Sequence, residues 1–528
     1  MTPPTPCPNT GTSAKVALAL FVFLLCFYAL SASGRLHTID EYEQFYMTES
    51  LVERGEFALP EEKAFFGRKG LDGRFHAPYG PVPPVLAAPG YLLARTIAGG
   101  FDLPEKKRET LLWFGASLVN CVLAAAAAAL FLLLCERLGA SRRGALLAAL
   151  VYALATPAWH AATTFFSEPA SSLCLIATAW LLASEARSAE GKPRALRLAL
   201  ASLPLALLVG VRMTQAMLIP LFALLAFVIE RRSLSRRLAA TAALTLAPAL
   251  AVGAYLLWNH VRFGEFFAPG YPPTFEGERL PASFDAPLGE GLYGLLLSPG
   301  KGLFWFAMPI VLAPLGLAEL RTRAGVWTRL LVVLPVVPLV FYARYSYWEG
   351  GYSFGPRFLG PTIAFWILPL AFLNTRRWSV RLPFCAAVAA SFALEALGTS
   401  VSFLECQVNR GYYDSGFRYD LGYSAWSETA SVFAHYVREA LAGRLLAEPE
   451  GLGFERWFFF LTKSGFPSLW SALTLAGLAV VLSLSGLALV RVWRANGEEI
   501  DGAGLPQAAS RGTAAEGVTE RSAVARQM

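Results

Sequence analysis

Asp40 and Glu41 are neighbouring carboxylates placed directly after the first long apolar run, in Thr38-Ile39-Asp40-Glu41-Tyr42-Glu43-Gln44-Phe45. A carboxylate where a helix leaves a membrane can act as a general base, taking a proton from an attacking hydroxyl. The same residues have a purely architectural use. Thr38-x-x-Glu41 is a capping box, and Asp40 at the second helical position suits the helix dipole. Capping explains Glu41 well and Asp40 less well. Asp40 is therefore the stronger candidate for the base, with Glu41 beside it.

Further polar groups fall at the ends of apolar runs. Glu168 lies in Phe165-Phe166-Ser167-Glu168-Pro169, and Arg212 in Gly210-Val211-Arg212-Met213-Thr214-Gln215. Lys301 stands in Ser298-Pro299-Gly300-Lys301-Gly302. Arg344 and Glu349 flank the next turn, which Arg357 closes after Gly350-Gly351-Tyr352-Ser353-Phe354-Gly355-Pro356. Any one of them reads as a snorkelling or solvated charge. Together they suggest cations at headgroup depth that could hold a lipid phosphate, on which charge develops as it leaves. Glycine-rich turns beside Lys301 and Arg357 let backbone amides approach the same anion. Arg357 and Lys301 are favoured, then Arg212 and Arg344.

Glu395 stands inside an otherwise apolar run, where a carboxylate is either functional or a neutral hydrogen-bonded acid. His76 and His160 are isolated. No His/Cys/Asp spacing suggests a metal, and no Walker loop, dinucleotide fingerprint or nucleophile elbow suggests a cofactor. The seven cysteines read as small buried hydrophobes rather than a disulfide framework.

The elements that must position these residues are membrane helices. The 528-residue chain is 55% hydrophobic and 16% charged, with a mean hydropathy of +0.47. Hydropathy predicts an all-α polytopic membrane protein of about twelve spans, some of half length. The spans fall near 14–32, 110–135, 143–162, 168–184, 196–211, 213–230, 238–258, 302–320, 329–346, 357–374, 382–403 and 468–490. Ala29 and Ser31 offer a weak signal-cleavage pattern, but the many later spans favour an uncleaved first helix. Loops holding Arg137, Arg142 and Arg143, Arg236 and Arg237, or Arg376, Arg377 and Arg381 all fall on one side if the spans alternate. That places both termini in the cytoplasm. The net charge of +7 is accounted for by those loops and lipid headgroups without invoking nucleic acid.

Three large loops then face outward: 35–109, 259–301 and 404–467. The first holds Pro78-Tyr79-Gly80-Pro81-Val82-Pro83-Pro84 and a short apolar piece, Val85 to Ile97, expected as an interfacial helix. The third is aromatic-rich, with Tyr412, Tyr413, Phe417, Tyr419, Tyr423, Trp426, Trp457 and Phe458. Residues 1–13 read as a cytoplasmic tail, 14–495 as the transmembrane domain and 496–528 as a disordered cytoplasmic tail.

The chain resembles the GT-C glycosyltransferases, in the branch of the protein O-mannosyltransferases and aminoarabinose transferases. The likeness rests on Asp40-Glu41 after the first span, on Tyr79-Gly80-Pro81 before an interfacial helix, on Phe166-Ser167-Glu168-Pro169, and on Trp348 through Arg357. It covers most of residues 14–375. The resemblance implies an integral plasma or inner membrane enzyme with its site on the extracytoplasmic side. It implies transfer of a sugar from a polyprenyl-phosphate carrier to an acceptor hydroxyl, with inversion. Asp40 would be the base, Glu41 its support, and Tyr79 part of the site. The acceptor, whether glycan, lipid or protein, is left open. A basic residue that such enzymes often carry before the Pro-rich stretch is missing. Ala77 and Pro78 occupy its place, and whether His76 substitutes is open.

A polyprenyl carrier cannot leave the bilayer, so an enzyme using it must be embedded, with its base at the interface. A nucleotide-sugar enzyme would need a soluble nucleotide fold that the sequence lacks. Two other readings compete: a transporter or flippase of a lipid-linked or anionic substrate, suggested by the half-length spans around Arg212, and a non-catalytic envelope assembly protein.

Overall fold

The computed structural model describes residues 10–186, 194–230, 233–268, 270, 284–404, 425–442, 456–458 and 468–502. Cys7, Cys406 and the five tyrosines and phenylalanines expected between 412 and 423 lie outside the described residues.

Helix α1 (Thr10–Ser31) begins inside the stretch expected as a tail. It is apolar on every side, as a membrane-crossing helix should be, and buries Leu20, Leu24 and Tyr28. The chain then turns into α2 (Ile39–Arg54), which carries the predicted capping box at Thr38 and Glu41 and ends on Gly55 in the left-handed region. Three two-residue strands follow: β1 (Ala58–Leu59), β2 (Arg68–Lys69) and β3 (Phe75–His76). They form an antiparallel sheet with β3 in the middle.

Helix α3 (Val82–Gly99) contains the apolar piece expected at the interface. It packs on α2 and α4 (Glu105–Leu138). Ala87, Tyr91, Ala94 and Ala98 are buried, while Val85, Leu92 and Leu93 are exposed. That division fits a helix lying at a membrane surface. Alanines 124, 125, 127 and 128 of α4 are buried, and such small side chains let neighbouring helices approach closely.

The span expected at 143–162 is two helices, α5 (Arg142–Leu154) and α6 (Ala158–Ala162), separated at Pro157. Then come α7 (Glu168–Ala186) and α8 (Arg194–Val211), a 3-10 turn (Met213–Leu218), α9 (Ile219–Ile229) and α10 (Leu234–Phe263). Helix α11 (Leu288–Leu296) leads into a region of short pieces: α12 (Leu303–Phe306), α13 (Ala313–Ala324), α14 (Val326–Val333), α15 (Val336–Ala343) and α16 (Ile363–Ile367). The expected spans 302–320, 329–346 and 357–374 are thus interrupted. Pro309, Pro314, Pro335, Pro361 and Pro369 remove amide donors at or near the breaks. Helices α17 (Trp378–Ser400), α18 (Ala425–Leu441) and α19 (Ser468–Gly502) complete the described chain. Helix α19 continues past the boundary at which a disordered tail was expected.

Five of these helices, α1, α4, α10, α17 and α19, are long and apolar enough to cross a membrane, and four shorter apolar segments accompany them among the described residues. Only 6% of the apolar stretch of α19 and 17% of that of α10 is buried, so those faces are left to lipid. The protein is an all-α polytopic membrane protein, with fewer uninterrupted spans than hydropathy alone suggested.

Candidate active site

Four segment ends meet around Arg357. Asp40 lies in the first turn of α2, Glu168 is the first residue of α7, Arg212 follows the last residue of α8, and Arg357 follows Pro356. Arg357 Nη1 is 2.6 Å from Asp40 Oδ2, and its Nε donates to Glu168 Oε1 at 3.0 Å. Arg212 Nη1 donates to that same Glu168 oxygen at 3.0 Å. Tyr79 Oη donates to Asp40 Oδ1 at 2.6 Å. The guanidinium of Arg357 also lies over the Phe166 ring and that of Arg212 over Phe358. Of the residues singled out in the sequence, the fold brings Asp40, Tyr79, Glu168, Arg212 and Arg357 together.

Local structure explains the meeting. Glu41 is fully buried and accepts from the backbone amides of His37 at 2.8 Å and Phe165 at 2.7 Å. One turn on, Gln44 Nε2 donates to Phe165 O. From α4, Asn120 Nδ2 donates to Thr164 O and Phe166 O, both at 2.7 Å. The Thr163–Ser167 bend is therefore fastened from two sides, and it delivers Glu168 to the start of α7, where the helix dipole favours a carboxylate. Tyr79 is set by the Pro-rich strip, which lies against the end of α8. A Cβ on Gly80 would stand 2.1 Å from Gly210 O, so only glycine permits that approach. Gln44 and Asn120 were not singled out in the sequence. The signal available for Gln44 was its position one turn after Asp40.

The electrostatics follow from the pairings. Burial pushes the Asp40 carboxyl up, but the Arg357 charge and the Tyr79 hydrogen bond outweigh it and hold Asp40 below the usual aspartate range. Burial also acts on Glu41, where hydrogen bonds from His37 and from the Phe165 amide leave a net lowering. Glu43, one turn beyond Asp40, is pushed by burial up to about 8. The two carboxylates and two guanidiniums balance. The arginines are not idle cations awaiting a phosphate: an anion must take over a guanidinium edge that a carboxylate now shares.

Of the other candidates, Lys301 lies within reach of the Arg357 charge but makes its hydrogen bonds elsewhere. Lys301 is buried, and its Nζ donates to Gly351 O, Ser353 O and Ser353 Oγ at 3.0, 2.6 and 3.0 Å. It fastens the glycine turn before Arg357, in which Gly350 and Gly351 have φ of 75° and 64°. Burial lowers its ammonium to about 7, against the raising influence of Glu349, which is itself buried. Arg344 is exposed and donates to Phe284 O. His76 turns to Asp72 at 3.1 Å and packs edge-on against Phe263. Glu395 is fully buried on α17. Among the described residues no group of His, Cys, Asp and Glu could hold a metal ion.

Beside the ion cluster, on the face formed by Arg357 and Glu168, a cleft runs between α4, α5, α6 and α7. Tyr152, His160, Phe166, Ser172 and Phe354 line it. His160 is isolated in sequence, yet the fold sets it in the same cleft wall as Glu168.

No family model and no curated protein matches the chain. Among solved structures it is similar to ArnT from Cupriavidus metallidurans bound to undecaprenyl phosphate, with 14% identity and a TM-score of 0.49 over 91% of this chain and 78% of that one. The apo state of the same ArnT gives 14% identity and a TM-score of 0.46, over 90% and 77%. The apo oligosaccharyltransferase of Archaeoglobus fulgidus gives 10% and 0.38, over 87% and 56%. Both kinds of neighbour are of the GT-C type that the sequence resembles.

Proposed function

We propose that this chain is a membrane glycosyltransferase that moves a sugar from a polyprenyl-phosphate carrier to an acceptor hydroxyl at the extracytoplasmic face, with inversion. The observation that carries the reading is the Asp40–Arg357 contact of 2.6 Å at the point where the chain leaves its first membrane helix. A carboxylate there faces a guanidinium able to take a phosphate, which is the pairing of base and leaving-group partner that such a transfer requires. Asp40 accepts the acceptor's proton as its oxygen attacks the anomeric carbon. The carbon–phosphate oxygen bond breaks on the opposite side, and the leaving phosphate gathers charge against Arg357, which shares the Glu168 carboxylate with Arg212. Tyr79 orients the Asp40 carboxylate. Glu41 holds the helix that carries it.

The test is Asp40→Asn, purified and shown to fold, with labelled polyprenyl-phosphate sugars and an envelope extract as acceptor. Loss of about 10²-fold or more in transfer supports the base; full activity removes it. The broken helices that meet at Arg212 also suit a transporter. Carrier flux across proteoliposomes by a wild type that transfers nothing would favour that reading.

A further inference from the structure

We propose that Arg456 and Trp457 are positioning residues for the Asp40 base. They fix the end of α1, and with it the elbow from which α2 sets out. This inference rests on the transferase reading and deepens it by naming what holds the base in place.

The last four carbonyls of a helix find no donor within the helix. Those of α1 are served from the far end of the chain. Trp457 N donates to Ala32 O at 3.0 Å, and its indole Nε1 donates to Ala29 O at 2.8 Å. Arg456 Nη1 donates to Ser31 O at 3.2 Å, across 425 positions of sequence. The same guanidinium donates to Thr399 O and, at 2.7 Å, to Ser400 Oγ. Thr399 and Ser400 are the last residues of α17. One cation thus serves the carbonyl ends of two helices, where the helix dipole favours positive charge.

Packing fixes the path of the chain at the same place. Trp457 is 3% exposed and lies nearly parallel to Phe114 of α4, with ring centroids 5.3 Å apart. Against it runs Gly34, whose φ is 79° and whose added Cβ would stand 2.5 Å from Trp457 Cβ. Glycine alone permits both the left-handed turn and that approach. Six residues later the chain reaches Asp40, whose contact with Arg357 is 2.6 Å. A shift of the Gly34 elbow tilts the start of α2 and displaces that carboxylate. Helix α1 has a separate hold, because Trp159 Nε1 donates to Ser31 Oγ at 2.9 Å. Loosening Arg456 or Trp457 therefore frees the elbow without releasing the helix.

The experiment separates position from stability. Full-length Arg456→Met, Arg456→Lys and Trp457→Phe proteins in nanodiscs are assayed with labelled polyprenyl-phosphate sugars and envelope extract, and rates are counted per folded protein. Arg456→Met should lower kcat about tenfold with donor KM within about twofold, as misplacement of a base does. Arg456→Lys, which keeps three donors, should recover much of the loss. Trp457→Phe keeps a ring on Phe114 and removes only the bond to Ala29. It should lower kcat about threefold, and it carries the comparison alone if Arg456→Met does not fold. A pH profile supplies the readout that simple destabilisation would not move. Asp40 faces Arg357, Arg212 and Tyr79, with Glu43 one turn along its own helix, and Arg357 and Tyr79 hold its carboxyl low. A displaced Asp40 loses part of that hold, so the acid limb of kcat/KM should move upward in Arg456→Met and Trp457→Phe. Unchanged kcat and an unchanged acid limb overturn the positioning role and leave the transferase standing, even if the unfolding temperature falls. A raised donor KM at unchanged kcat overturns it as well. A wild type that transfers no sugar overturns the transferase reading and the positioning role together.

Discussion

Arg357 joins Asp40 to Glu168: one guanidinium touches a carboxylate from the first turn of α2 with Nη1 and one from the first residue of α7 with Nε. Asp40 and Glu168 are 128 positions apart in sequence, so this contact closes the site. It also sets the basicity of Asp40. While Arg357 sits against it, Asp40 is held ionised below its usual range and is a weak base. A donor phosphate that draws Arg357 towards itself relieves that restraint.

The pH dependence of transfer should show this. In the free protein Asp40 is charged down to pH values below the ordinary aspartate range, so the acid limb of kcat/KM should lie low. Drawing Arg357 onto phosphate raises the carboxyl, so the acid limb of kcat, which reports the donor complex, should lie higher. Arg357→Gln should move the kcat/KM limb upward, because burial remains while the lowering charge is gone. Identical limbs in both parameters and both proteins would refute the idea.

Asp40 and Glu41 should separate cleanly. Asp40→Asn keeps the shape of the side chain but removes a charge partner of the largely buried Arg357, so it should lower the unfolding temperature while keeping the protein folded, with transfer lost. Glu41→Ala removes the capping box and the acceptor for the Phe165 amide. Loss of the cap alone costs about 1 kcal/mol. The stranded buried amide adds about 1–3 kcal/mol. Thermal unfolding in detergent, read beside activity, decides the matter: a stable but inactive Glu41→Ala protein would contradict the architectural role.

How much of this was legible in the sequence depends on the range of the interaction. The capping box reads from four consecutive positions, Thr38 to Glu41, and the helix follows it. The carboxylate and arginine candidates at span ends were visible as charges where apolar runs stop. What the sequence withheld was pairing. Nothing local tells Arg357 to choose Asp40 and Glu168, or Lys301 to spend its three donors on Gly351 and Ser353 rather than on a ligand. Hydropathy also did not show where spans are interrupted. A window average sees Leu303 to Leu320 as one apolar run, whereas Pro309 and Pro314 break it into separate turns. His160 gave no sign of its place, because a cleft between four helices has no sequence period.

Gly80 should be intolerant of even one carbon. Its missing Cβ would meet Gly210 O at 2.1 Å and Val211 O at 3.0 Å, both backbone atoms of the α8 end that carries Arg212. Gly80→Ala must therefore push the Pro-rich strip away from α8. The strip carries Tyr79, so the Tyr79–Asp40 hydrogen bond should lengthen or break. The expected result is a fall in kcat of about tenfold or more, a loss shared by Tyr79→Phe. The double variant should be little worse than either alone, because both changes remove the same contact. Additive losses would show that Gly80 acts on something other than Tyr79.

Lys301 gives the protein a stability signature above neutral pH. Its ammonium is buried with three oxygen acceptors, and burial lowers it from 10.5 to about 7. Between those values the unfolded chain binds a proton that the folded chain has released. Stability from this group therefore rises as pH increases from about 7 towards 10.5 and is flat below that window. Lys301→Met removes the titration and should flatten the unfolding temperature against pH across the same interval. It also withdraws three hydrogen bonds from the Gly351–Ser353 turn, so the variant should be less stable at every pH, with the deficit widening as pH rises. Thermal melts of both proteins at pH 7, 8, 9 and 10 measure the two slopes. Parallel curves would mean that Lys301 stays charged throughout and that its neighbours, Glu349 foremost, offset burial more fully than the fold suggests.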